Sequence, residues 1–187
     1  NITLLNYFLF IGSSANIVPM HDLKEIIIKF NINNLSKSSV KFSLESLVAL
    51  NQDTLKLFSF DQIKDKLINL KNNLQKEPFW RFVKNNITYI HEVSFWEKVI
   101  TTINNYKDLN IDKNFVDIAA DELPNEPYDE NTWHIWTSRI KDKTGLKGKD
   151  LFMPLRLILT GKSYGPELKY LMPLFDKNGI LQKLGKI

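Results

Sequence analysis

Cysteine is absent from this 187-residue chain, so neither disulfides nor thiolate metal sites contribute to its structure or chemistry. A reducing, cytoplasmic setting is the expectation that follows. Histidine is scarce. His21, His91 and His134 lie far apart, and none has a second His or Cys at ligand spacing, so they are expected on helix surfaces and no metal is expected. Long apolar runs are missing as well. Residues 7–12 and 26–28 fall far short of the roughly 18–20 residues of a bilayer span. No signal-peptide pattern leads the chain, and no membrane partner is expected. Catalytic motifs are equally hard to find. No Gly-x-Ser-x-Gly elbow occurs. The segment Gly145-Leu146-Lys147-Gly148-Lys149 has only two residues between its glycines and Asp150 after its lysine, where a phosphate loop needs four residues and Ser or Thr. It reads as a basic interhelical turn. Carboxylate pairs such as Asp121 and Glu122 sit in a proline-containing connection, where solvated loop is the default. No catalytic residue is assigned.

What is present is material for a core. Hydrophobic residues make up 43% of the chain, with 12 Phe and 4 Trp, enough for one sizeable core or two small ones. With 25 basic against 21 acidic residues, the composition is not that of a disordered chain. Charge is unevenly placed. Residues 137–187 hold eleven Lys and Arg against four Asp and Glu, and the preceding residues have a small acidic excess. A basic region on a near-neutral body fits a polyanionic partner, and it equally fits an ordinary solvated surface. The sequence opens at Asn1, already in apolar helix-like pattern, and is expected to be a piece of something longer.

Helix signals dominate the chain. Ser59 with Gln62, and Ser94 with Glu97, have the spacing of capping boxes. Ile63, Leu67 and Leu70 follow the first at helical spacing. Pro78 is placed to begin a helix carrying Phe79, Phe82 and Val83. Asn131 precedes Trp133, Trp136 and Ile140, spaced i, i+3, i+7, with Gly145 as a stop. Asp150 opens a run to Thr160 closed by Gly161, and Pro166 starts another through Leu174. Residues 40–44 and 115–118 are the only strand-like stretches. Residues 31–43 and 121–131 read as polar connections. There is no internal repeat and no low-complexity tract, so the fold expected is all-α, built of helical bundles in two or three subdomains.

The C-terminal third is the most informative. A helix with an apolar stripe (Phe152, Leu155, Leu159) is entered by a basic turn and left through an elbow rich in Gly and Pro. Such elbows bring backbone groups and flat rings to the surface, which suits contact with unpaired RNA bases while Arg and Lys hold phosphates. The alternative is that Pro154 and Pro166 merely start and bend helices.

At this segment the sequence resembles a known family. T-G-x-K-G-x-x-L-x-x-P-L-R-x-x-L-T-G, followed by G-P-x-L, is similar to the anticodon-binding C-terminus of bacterial glutamyl-tRNA synthetases. Thr144, Gly145, Lys147, Gly148, Leu151, Pro154, Leu155, Arg156, Leu159, Thr160, Gly161, Gly165, Pro166 and Leu168 carry the match. Upstream, Leu4-Leu5-Asn6-Tyr7 with Ile11-Gly12 resembles a segment that follows the family's second ATP signature. Ser38, Phe42, Leu47 and Leu50-Asn51 fit its F-x-x-x-x-L-x-x-L-N stretch, and Phe58-Ser59-Phe60 its next helix start.

The resemblance implies a stem-contact region over residues 1–57 and two helical anticodon-binding subdomains over 58–108 and 109–187. It implies that Arg156, Gly165, Pro166 and Leu168 meet anticodon bases, although some members carry Thr where Gly165 stands. Lys147, Lys149 and Lys162 are the corresponding candidates for the tRNA backbone. Members restricted to tRNA(Glu) often carry an Arg at the position of Asn85, beside Lys84 and ahead of Thr88-Tyr89. Its absence implies relaxed reading of the third anticodon base and charging of tRNA(Gln) as well. Neither class I ATP signature, H-I-G-H or K-M-S-K-S, occurs in the chain. ATP and Mg are therefore expected only in a separate catalytic domain, and glutamyl-adenylate is not expected from this chain alone. The function implied is tRNA binding, by a monomer, for a glutamate-tRNA ligase. The competing expectation is a non-catalytic helical protein-interaction domain.

Overall fold

The computed structural model describes residues 2–70 and 74–187; residues 71–73 of the expected 58–108 subdomain lie outside it. Two compact units divide the chain: Asn1–Leu67 with Lys84–Glu92, and Ile68–Val83 with Val93–Ile187. Among the described residues there is no strand, only a single β-bridge between Ser13 and Leu35. The chain is all-α, as its sequence patterning predicts.

In the first unit, α1 (Ile2–Phe10) packs along α3 (Leu44–Leu57). Thr3, Tyr7 and Phe10 recur at helical spacing and are buried, so α1 has one inward face. Most polar groups there are hydrogen-bonded, while Asn6 Oδ1 is buried without a partner. The Tyr7 hydroxyl donates to the Ser43 carbonyl and accepts from the Ser43 N–H, both at 3.0 Å. Ser43 is also the residue whose side chain caps α3. Thr3 donates to Asn51 Oδ1 on α3 at 2.9 Å, and Asn51 donates onward to the Thr88 carbonyl at 2.6 Å. α2 (Leu23–Lys29), capped by Asp22, seats Ile26 against Phe10 and Met20. The capping box predicted at Ser59 and Gln62 forms, but α4 (Phe60–Ile63) passes after one turn into a 3-10 turn at Lys64–Lys66. Residues 31–43 form the expected connection, apart from a 3-10 turn at Ile32–Asn34. Residues 40–44 are not a strand, and Leu44 opens α3.

The second unit holds six helices among its described residues: α5 (Glu77–Val83), α6 (Val93–Thr101), α7 (Lys113–Asp121), α8 (Glu130–Thr144), α9 (Gly148–Thr160) and α10 (Lys177–Lys183). Several expected boundaries shift, each for a local reason. Ser94 does not cap α6. The helix begins one residue earlier, continuing from a 3-10 turn at Ile90–Glu92, and this start buries Val93. The cap of α8 is Asp129, two residues ahead of Asn131. Asp129 takes the Thr132 N–H at 2.9 Å and Thr132 returns an oxygen to the Asp129 N–H at 2.9 Å, a reciprocal pair that Asn131 is not placed to make. Residues 115–118 lie inside α7. The run from Pro166 to Leu174 makes two 3-10 turns, Leu168–Tyr170 and Met172–Leu174, where an α-helix is predicted. Pro173 has no N–H to donate and disfavours α geometry in the residue before it.

Trp136 anchors this unit. It is fully buried, and its Nε1 donates to the Ala119 carbonyl at 2.8 Å, fixing α8 on α7. Lys183 is buried and donates to the Thr102 carbonyl beyond the end of α6; burial pushes its pKa down to about 8. The acidic stretch serves the same architecture. Glu130 pairs with Arg81 at 2.7 Å, Glu122 with Lys143 at 3.7 Å, and Glu126 accepts from the Lys177 N–H. No helix among the described residues is long and apolar enough to cross a membrane.

The Tyr7 bonds give a direct test of the first unit. Tyr7→Phe leaves both backbone groups of Ser43 without that partner, an expected loss of about 1–2 kcal/mol. Chemical denaturation followed by circular dichroism should show an earlier transition; an unchanged midpoint would remove this contact from the account.

Candidate nucleic-acid interface

The site is built from α8, α9 and the elbow that follows α9. Helix α9 ends as predicted at Gly161, whose φ of 65° is the left-handed conformation that closes a helix. Its buried side is Leu151, Leu155, Ile158 and Leu159. Phe152 therefore stands one step aside from the stripe expected of it, with 43% of its surface exposed. Pro154 lies in the interior of α9 and does not start it, so the bond to the carbonyl four residues back is missing. Thr160 donates to the Arg156 carbonyl at 2.7 Å and accepts from the Lys162 N–H at 3.1 Å, turning the chain out of the helix.

Arg156 brings the elbow back. Its Nη2 donates to the Pro166 carbonyl at 3.0 Å, spanning ten residues. The side chain is half-buried, and burial draws its pKa below the ordinary arginine value, yet a guanidinium stays charged at any working pH. Among the described residues no carboxylate pairs with it. Arg156 is braced by a carbonyl, so its charge is left uncompensated beside an open groove. That groove is lined by Trp133, Phe152, Arg156, Glu167, Leu168 and Lys169.

The remaining predicted residues divide into those that shape the elbow and those that stand apart. Gly165 has φ 128°, a conformation L side chains rarely adopt. A Cβ there would lie 2.5 Å from the Trp96 ring tip and 3.6 Å from Arg156 Nη1. Pro166 and Leu168 are both buried, so they form the floor more than a free surface. Lys162 holds its ammonium 5.5 Å from the centre of the Phe95 ring. Lys147 and Lys149 are exposed at the start of α9 and make no ion pair among the described residues. Asn85 is exposed in a turn after α5 and belongs to the other compact unit.

Three contributors escaped sequence reasoning. Trp133 reads as core with Trp136 and Ile140, but only the latter two are fully buried. Lys169 pairs with Glu167 at 2.7 Å on the groove's rim. Trp96, through its ring tip, dictates glycine at 165.

The tightness at Gly165 is measurable. Gly165→Ala should cost about 1–3 kcal/mol from backbone strain alone, and should perturb Trp96 fluorescence through the displaced ring. A variant with wild-type stability and emission would show that the elbow is not held this way.

Comparison with known proteins bears on this geometry. A family model described as an anticodon binding domain matches residues 84–187. Glutamate-tRNA ligase 2 of Rickettsia canadensis is 36% identical over 183 residues, covering 98% of this chain and 41% of the relative. Glutamate-tRNA ligase 1 of Rickettsia felis matches to the same extent. The crystal structure of a glutamate tRNA ligase from Elizabethkingia meningosepticum, in complex with its amino acid, aligns with a TM-score of 0.76 at 17% identity. That alignment covers 98% of this chain and 40% of the other, and establishes likeness of fold. The chain thus spans about two fifths of the length of the curated relatives it matches. With more than half of its residues inside the family model, the chain belongs to the anticodon-binding domain family.

Proposed function

We propose that this chain is the tRNA-binding part of a glutamate-tRNA ligase, which attaches glutamate to tRNA(Glu) with ATP in protein synthesis. The observation that carries the reading is the elbow after α9: an unpaired, part-desolvated guanidinium clamped to a backbone carbonyl beside an aromatic-edged groove. Arginine suits this task because its planar fork bonds a base edge or phosphate in a bidentate way that lysine cannot copy. In this reading Arg156 meets a base, Gly165 and Pro166 shape the elbow around it, and Leu168 gives apolar support. Lys147 and Lys149 serve the RNA backbone from the first turn of α9. Cations there oppose the helix dipole, which an arriving phosphate would relieve. Lys162 serves the backbone beside the elbow, and Asn85, where restricted relatives carry Arg, leaves the third anticodon base loosely read and admits tRNA(Gln). Residues 1–57 contact the tRNA stem. ATP and Mg act in a separate catalytic domain of the parent, a cytoplasmic monomer.

A second reading keeps support from one observation. In the first unit Phe8 and Phe42 stack with centroids 6.2 Å apart and are 59% and 51% exposed, surface that suits a protein partner. Salt separates the two readings. Each phosphate neutralised lowers the logarithm of affinity by about 0.7–0.9 per decade of salt.

Binding of tRNA(Glu) to the purified chain should therefore weaken steeply from low to physiological salt. Arg156→Ala should cost about 1–3 kcal/mol in that affinity, with Arg156→Lys restoring little of it. Binding that ignores salt, or that ignores both substitutions in folded protein, would reject the proposal in favour of the protein-interaction reading.

A further inference from the structure

Around Arg156 the groove carries more aromatic surface than the elbow's packing requires. Trp133 from α8 and Phe152 from α9 meet with ring centroids 6.2 Å apart and planes tilted by 35°. Phe152 stands at the edge of the stripe through which α9 packs (Leu151, Leu155, Ile158 and Leu159) and keeps 43% of its surface exposed. Trp133 is held in place from behind. Trp136 meets it edge-on at 6.1 Å and 82°, and Trp136 is itself locked by its bond to the Ala119 carbonyl. The facing rim is also fixed: Arg156 by the Pro166 carbonyl, and Lys169 by Glu167 at 2.7 Å. Leu168 lies buried beneath. Trp133 and Arg156 are therefore held in place before any ligand arrives, which lowers the ordering cost of binding.

An unstacked nucleobase offers a flat apolar face, a polar edge and a nearby phosphate. The groove offers a counterpart to the first two: the aromatic pair for the face and the free donors of Arg156 for an acceptor edge, while Lys169 on the rim is paired with Glu167. An apolar side chain from a protein partner would leave the Arg156 charge uncompensated. We infer that Trp133 and Phe152 form a stacking wall that receives one unstacked base of the anticodon loop, with its acceptor edge turned to Arg156. This rests on the anticodon-binding reading above and adds to it two residues and a pocket for a single base.

The test uses the anticodon stem-loop of tRNA(Glu), intact and with an abasic nucleotide at each anticodon position in turn. Binding to the wild-type chain, Trp133→Ala and Phe152→Leu is measured at fixed salt. Phe152→Leu alters a part-exposed residue and keeps it apolar while removing the ring, so it reports stacking even if Trp133→Ala fails to fold. One abasic position should weaken wild-type binding roughly 5- to 100-fold, the range for losing one stacked base. Phe152→Leu should lose binding to the intact loop, should bind that abasic loop as the wild type does, and should keep the wild-type salt slope. A variant that binds the intact loop unchanged, or loses the same factor on every abasic loop, overturns the inference. So does wild-type protein that binds the intact loop but is indifferent to every abasic position, an outcome that leaves the anticodon-binding reading standing. Wild-type protein that binds no intact loop removes both.

Discussion

The bond from Arg156 to the Pro166 carbonyl closes ten residues of chain into a fixed elbow, and the arrangement of the candidate site follows from it. The segment after Gly161 contains no helix until the 3-10 turn at Leu168–Tyr170, so side-chain contacts of this kind, with the packing of Gly165 and Pro166, hold it. The tie is made possible by a steric constraint at the neighbouring residue. The Trp96 ring tip occupies the space a Cβ at position 165 would need, so only glycine lets the elbow lie this close to α6. Arginine at 156 and glycine at 165 are thus two halves of one device. It presents a charged, part-desolvated fork beside an apolar floor.

Charge pairing is uneven across the second unit. Most acidic groups of the second unit are committed to the fold, as caps or in pairs such as Arg81 with Glu130 and Lys143 with Glu122. Exposed pairs of this kind contribute little stability, but they neutralise the cations they hold. Arg156, Lys147, Lys149 and Lys162 have no carboxylate partner among the described residues. Arg139 and Lys141 likewise lack one, so the unpaired cations after residue 137 are not confined to the site.

Much of this architecture is legible in the sequence. Ser59 with Gln62, Gly145 and Gly161 mark helix ends correctly because each acts within a few residues of itself. Arg156 was singled out by the family motif in which it stands, the strongest stretch of a resemblance that runs along most of the chain. What escaped was non-local. Trp133 has the spacing of a core residue, and only the third dimension shows it half-buried at a groove, with Phe152 across from it. Trp96 acts on Gly165 across 69 positions in the chain, and no local pattern announces that contact. Helix α8 starts ahead of Asn131, where Asp129 finds a reciprocal partner in Thr132.

The central claim is that RNA is met at the elbow and the groove beside it. Hydrogen exchange of the chain, with and without saturating tRNA(Glu), tests it most directly, because amide protection locates the contact without altering any residue. The account predicts that slowed exchange concentrates in residues 152–156 and 161–170. Protection confined to other segments, with the elbow exchanging at its free rate, would contradict it.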